Sequence, residues 1–75
     1  MEFDDYVTDL LTENEKKVVY WLVQGLTNEQ IAKKVFLCKQ TVKYYLAKLY
    51  KKFGAINRIN LVYILAQHVI KDERV

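Results

Sequence analysis

The sequence predicts an all-α domain of four helices, and three observations carry the prediction. Val42, Leu46, Leu49 and Phe53 stand at i, i+4, i+7 and i+11, which lines them along one stripe of a helix. Thr12 with Glu15 and Thr27 with Gln30 have the spacing of a capping box, in which the threonine oxygen and the following side chain each satisfy a free N–H. Proline is absent, and the two glycines, Gly25 and Gly54, fall where helical patterns stop. At 75 residues the chain holds one small domain with a thin core.

Taken in order, residues 1–10 form an acidic segment in which Phe3, Tyr6, Val7 and Leu10 are spaced as in a short amphipathic helix. A helical extension docked on the domain and a frayed tail both fit that pattern. The first clear helix starts at Thr12. Val18, Val19, Leu22 and Val23 make its core stripe, Glu13 and Glu15 suit the positive end of its dipole, and Gly25 closes it. The second helix starts at Thr27, turns Ile31, Ala32 and Val35 inward and Lys33 and Lys34 outward, and stops near Val35. Phe36 and Leu37 make an apolar turn, and Cys38 stands at the N-cap of a third helix, 39–53, closed by Gly54. A fourth, very apolar helix is expected over 58–70. Leu61, Val62, Leu65 and Val69 can face the core. Ile59, Tyr63, Ala66 and Ile70 lie on a second side, which is a candidate subunit interface or a cover for the loop or the N-terminal segment.

The net charge of +3 understates how the charge is segregated. From Lys16 to Arg58 there are ten basic residues against one acid, Glu29, while the other acids sit towards the two ends. Such a basic middle suits a polyanionic partner: DNA, RNA or a membrane surface. The outer side of the third helix carries Lys39, Gln40, Lys43, Tyr44, Ala47 and Lys51, with no acid. Cations for phosphates, with donors and apolar tips for base edges, are what a helix needs to read a major groove. A short helix, a tight turn and a longer basic helix together make a helix-turn-helix.

Other classes are poorly supported. Cys38 and His68 are each single, so neither an internal disulfide nor a zinc pattern is available, and no metal or other cofactor is expected. Without a glycine-rich phosphate loop or a paired-carboxylate site, no enzyme is expected. His68 reads as a helix-face residue. Cys38 reads as a cap substitute or as a thiol with a lowered pKa. No apolar run is long enough to span a membrane, and the expected location is cytoplasmic.

Leu11-Thr12, Glu15, Val18, Gly25, Thr27-Asn28, Ile31-Ala32, Thr41-Val42-Lys43, Lys52, Gly54 and Asn57-Arg58 stand in the order and spacing of the LuxR-type (GerE-like) helix-turn-helix domain, which the chain resembles over nearly its whole length. The resemblance implies a bacterial transcription regulator domain over 11–71, preceded by the acidic segment 1–10 and followed by a tail, 72–75. It further implies that the third helix enters the major groove of double-stranded DNA and that the fourth mediates a homodimer. The base-facing positions are then Lys43, Tyr44 and Ala47, with Gln40 beside them. Phosphates fall to Thr27, Lys33, Lys34, Lys39, Thr41, Lys48, Lys51 and Lys52. The dimer interface falls to Ile59, Tyr63, Ala66 and Ile70. The chain departs from the family pattern at Cys38 (usually serine), Tyr45 (commonly histidine), the bulky Tyr44, Ala47, and the run Asn14, Glu15, Lys16, Lys17. The competing reading is a protein-interaction module of the same fold that modulates another transcription regulator; another regulator or RNA polymerase is a candidate protein partner.

Overall fold

The computed structural model describes residues 2–70, with Ile70 described by its backbone. It contains five helices and one short strand pair: β1 (Glu2–Phe3), α1 (Asp5–Leu10), α2 (Glu13–Leu22), α3 (Asn28–Val35), α4 (Lys39–Phe53), α5 (Arg58–Ala66) and β2 (Val69–Ile70). The expected tail, 72–75, lies outside the described residues.

The helices start where the capping chemistry puts them. The Thr12 hydroxyl accepts from the Glu15 N–H at 3.3 Å, and Glu15 Oε1 accepts from the Thr12 N–H at 2.9 Å. Thr27 and Gln30 close the same pair of bonds at 3.2 and 2.9 Å. Cys38 is the N-cap of α4, but its side chain makes no capping bond. A thiol is a poor acceptor for helix N–H groups, so this start is capped more weakly than those at Thr12 and Thr27. At the other end Gly54 adopts φ 63°, and the N–H groups of Gly54 and Ala55 both return to the carbonyl of Tyr50. The bounds of α4 are those read from the sequence.

Three stretches differ from the sequence expectation. The first clear helix ends at Leu22 with Val23 as its C-cap, and Gly25, at φ 90°, lies in the turn beyond it instead of closing the helix. The ambiguous N-terminal segment is ordered as α1, capped by Asp4 and anchored by Val7, which is fully buried. The fourth helix ends at Ala66, four residues short of the expected 58–70. Beyond it the chain turns, and Val69 and Ile70 pair antiparallel with Phe3 and Glu2. Three contacts lock this clasp. The Asp4 N–H donates to the His68 carbonyl at 2.8 Å, Asp4 Oδ2 meets His68 Nδ1 at 2.8 Å, and the Tyr6 and His68 rings lie 5.1 Å apart. His68 is therefore part of the clasp and not of a helix face. Extended backbone also suits the β-branched pair Val69 and Ile70.

The core is a single cluster drawn from every helix: Val7 from α1, Val18, Val19 and Leu22 from α2, Ile31 and Ala32 from α3, Val42, Leu46 and Leu49 from α4, and Leu61 and Leu65 from α5, with Leu11 beside them. Each fully buried leucine contributes about 1.5–3 kcal/mol through removal of apolar surface from water. Phe53, Val35 and Val62 pack on its edge, half-buried. The expected core stripes are therefore the observed ones, save that Val69 reaches its half-buried place from β2.

Candidate nucleic-acid interface

α4 is seated against α2, α3 and α5 through Val42, Leu46 and Leu49, which fixes the side it turns outward. Gln40, Lys43, Tyr44 and Ala47, the four predicted base-facing residues, stand at i, i+3, i+4 and i+7 on that outward side, and all four are exposed. Lys39 and Lys51 extend the exposed surface at the two ends, and α4 contains no acid. The helix thus presents a continuous stripe of donors, cations and one large ring, with nothing to repel an anion.

The predicted phosphate residues are spread around this stripe. Thr27 is exposed at the start of α3, although its hydroxyl already accepts from the Gln30 N–H. Lys33 is exposed on α3. Lys34 turns towards α2, its ammonium 5.0 Å from the centre of the Trp21 ring. Thr41 is half-buried, with its hydroxyl 3.0 Å from Cys38 Sγ. That hydroxyl, followed by the nearby N–H groups of Thr41 and Gln40, holds the exposed Cys38 thiol below its ordinary pKa. Lys48 lies over Tyr44, its ammonium 5.4 Å from the ring centre.

Lys52 is placed differently. Its ammonium donates to Glu15 Oε1 at 2.5 Å and to the Leu10 carbonyl at 2.8 Å, on the side of α4 that meets α2. Glu15 is fully buried, and Lys52 serves as its counter-ion while its side chain stays 29% exposed. Burial pushes the Glu15 carboxyl up, but the Lys52 ammonium and the Thr12 N–H together outweigh it and hold the group below its ordinary value.

Several contacts that frame the site join residues far apart in sequence. The Asn14 side chain donates to the Tyr45 hydroxyl at 2.9 Å, across α2 and α4. Arg58 Nη1 donates to Asn28 Oδ1 at 2.5 Å and Nη2 to the Leu26 carbonyl at 2.6 Å, which ties the start of α5 to the start of α3. Neither contact has a local signal. The Arg58 and Asn28 pair is visible in the sequence only as two separate elements of the family pattern.

The chain matches the GerE family, described as bacterial regulatory proteins of the luxR family, over residues 9–65. It belongs to the LuxR family. Among similar proteins, the DNA-binding transcriptional activator DevR/DosR of Mycobacterium tuberculosis is 44% identical over 48 residues, covering 64% of this chain and 22% of that protein. The nitrate/nitrite response regulator protein NarP of Escherichia coli is 36% identical over 58 residues, covering 77% of this chain and 27% of NarP. The CsgBAC operon transcriptional regulatory protein of Escherichia coli is 40% identical over 53 residues, covering 71% of this chain and 24% of the relative. In relatives such as these the matched part of this LuxR-family chain spans only a small share of their length, from 6% in a putative HTH-type transcriptional regulator of Mycobacterium bovis to 27% in NarP.

The remaining predicted site is the second side of the fourth helix. Ile59 and Tyr63 are 82% and 64% exposed, and Ala66 is exposed beside them. Ile70 does not belong to this surface as a helical residue, because α5 ends before it and its backbone is in β2; its side chain lies outside the description. Ile56, just before α5, is 84% exposed as well. No described helix of this LuxR-family domain is long and apolar enough to cross a membrane.

Proposed function

We propose that this chain is a sequence-specific DNA-binding transcription regulator, with α4 as the helix that enters the major groove. The exposed, acid-free stripe Gln40, Lys43, Tyr44 and Ala47 on a 15-residue helix of a LuxR-family domain carries the reading. Lys43 donates to guanine O6 and N7 or to a phosphate, Gln40 hydrogen-bonds a base edge, and Tyr44 and Ala47 supply apolar contact. Lys39, Lys48, Lys51, Lys33 and Lys34 hold the backbone, with Thr27 and Thr41 at the two helix starts.

We further propose a homodimer built on Ile59, Tyr63 and Ala66 of α5, which would set two copies of α4 on half-sites about one helical turn apart. Three exposed apolar side chains close together on one short helix favour burial against a second copy.

Fluorescence anisotropy on random duplex DNA and on a selected-site pool, at low and near-physiological salt, tests the reading. Steep salt dependence and an enriched two-fold site are expected. In that assay Lys43→Ala should relax preference at one position if Lys43 reads a base, or weaken all sequences alike if it holds phosphate. Binding that vanishes with salt and enriches nothing would overturn the assignment.

A further inference from the structure

The ring at the centre of the outward stripe is braced from behind. Tyr44 is 60% exposed but is touched on two sides. Lys48, one turn on, sets its ammonium over the ring, and Tyr45 meets it edge-on with ring centres 5.6 Å apart. Tyr45 is itself held: it is half-buried against the core, and its hydroxyl accepts the 2.9 Å bond from Asn14 in the first turn of α2. Asn14, Tyr45, Tyr44 and Lys48 thus form one run of contacts from the far helix to the reading stripe.

Bracing matters because a free tyrosine loses rotamer freedom when it binds, whereas a ring already in place loses less. It also fixes where the ring stands. Ala47 lies three residues on from Tyr44, hence beside it on the helix surface. The two make one apolar spot on a stripe that is otherwise polar or cationic. The apolar feature a major groove presents is the C5 methyl of thymine.

We infer that Asn14 and Tyr45 are positioning residues that hold Tyr44 in place, so that Tyr44 and Ala47 together select a thymine by its methyl group. The inference rests on the DNA-reading function proposed above and adds the base class and the residues that set it.

The experiment uses the site enriched from the pool, with its thymines replaced singly by deoxyuridine, which removes the methyl and nothing else. The wild-type chain should lose roughly fourfold in affinity at one thymine per half-site, the equivalent of one methyl-sized apolar contact. Tyr44→Ala should abolish that discrimination. Asn14→Ala and Tyr45→Phe should each shift the thymine-to-deoxyuridine ratio towards one, and neither should add to Tyr44→Ala in a double variant. A merely structural role would not depend on Tyr44 in this way, and Asn14→Ala, at an exposed position, guards against a folding defect in Tyr45→Phe. Ratios unchanged in both variants would overturn the positioning role. A wild-type chain that selects a site without any deoxyuridine-sensitive thymine would overturn the thymine assignment alone. A chain that selects no site overturns the function beneath it.

Discussion

The Lys52 ammonium on α4 lies 2.5 Å from the carboxylate of Glu15 on α2, and Glu15 has no solvent exposure. Glu15 is therefore both the N3 residue of a capping box and the buried end of an ion pair between α4, which carries the outward stripe, and α2. Its Oε2 has no partner among the described residues, so Lys52 and the Thr12 N–H are what compensate the buried charge. Removing one member of such a pair strands the other.

Lys52→Met should accordingly destabilise the domain by about 2–3 kcal/mol, at the low end for a broken buried pair because the lysine side chain is itself 29% exposed. Glu15→Gln, which keeps an acceptor for Thr12 and removes the charge, should cost only about 1 kcal/mol. Urea unfolding midpoints check both values, and equal losses would show that charge is not the issue.

Stability should fall in acid for a specific reason. Glu15 is held below its ordinary 4.5 because Lys52 and Thr12 outweigh the effect of burial, and Asp4 is held below its ordinary 3.8 first by His68 and then by the Val7 N–H. Both groups bind protons more readily in the unfolded chain. Their contribution is complete above the ordinary carboxylate range and is lost as pH falls through the lowered values. Thermal midpoints measured downward from pH 7 should hold and then drop below about pH 5, with a shallower drop in Glu15→Gln.

Phe36 is the one described non-glycine residue with positive φ, at 59°, and the residue is 93% exposed at the C-cap of α3. The left-handed conformation costs a residue with a Cβ roughly 1 kcal/mol, and this ring recovers little of it by packing. Phe36→Gly should raise stability by about 0.5–1 kcal/mol in the same urea assay. A loss would show that the ring has a contact in solution.

Tyr63→Glu places a charge in the centre of the exposed α5 surface. Sedimentation equilibrium should show the wild-type chain as a dimer and the variant as a monomer with unchanged helical circular dichroism. A wild-type chain that stays monomeric at high concentration removes the dimer proposal.

Much of the fold was legible because its signals are local. The caps at Thr12 and Thr27, the αL glycine at 54 and the 3.6-residue stripe of α4 each depend on residues a turn or two apart, and each appears as expected. The outward stripe was legible for the same reason, since the apolar side of α4 leaves only one side to face out. What was not legible was what depends on distant residues. Lys52 looks on a helical wheel like any other cation of the basic segment, and its counter-ion lies 37 residues away. The apolar period of α5 continues past Ala66 in the sequence, but pairing with Glu2 and Phe3 and the bond to Asp4 draw Val69 and Ile70 into a strand. Tyr45 stands out as a departure from the family, yet nothing nearby in the sequence points to Asn14 as its partner.

The clasp between β1 and β2 also bears on the order in which the chain assembles. Asp4 and His68 are 64 residues apart, so their contact closes almost the entire chain into a loop, whereas α3 and α4 are sequence neighbours. Loop-closure entropy favours the neighbours first. The helix-turn-helix is therefore expected to condense early, and the two ends to close last and to open first. Amide exchange at Asp4 should outpace exchange in the middle of α4, so the ends of the chain can breathe while the outward stripe of α4 stays whole.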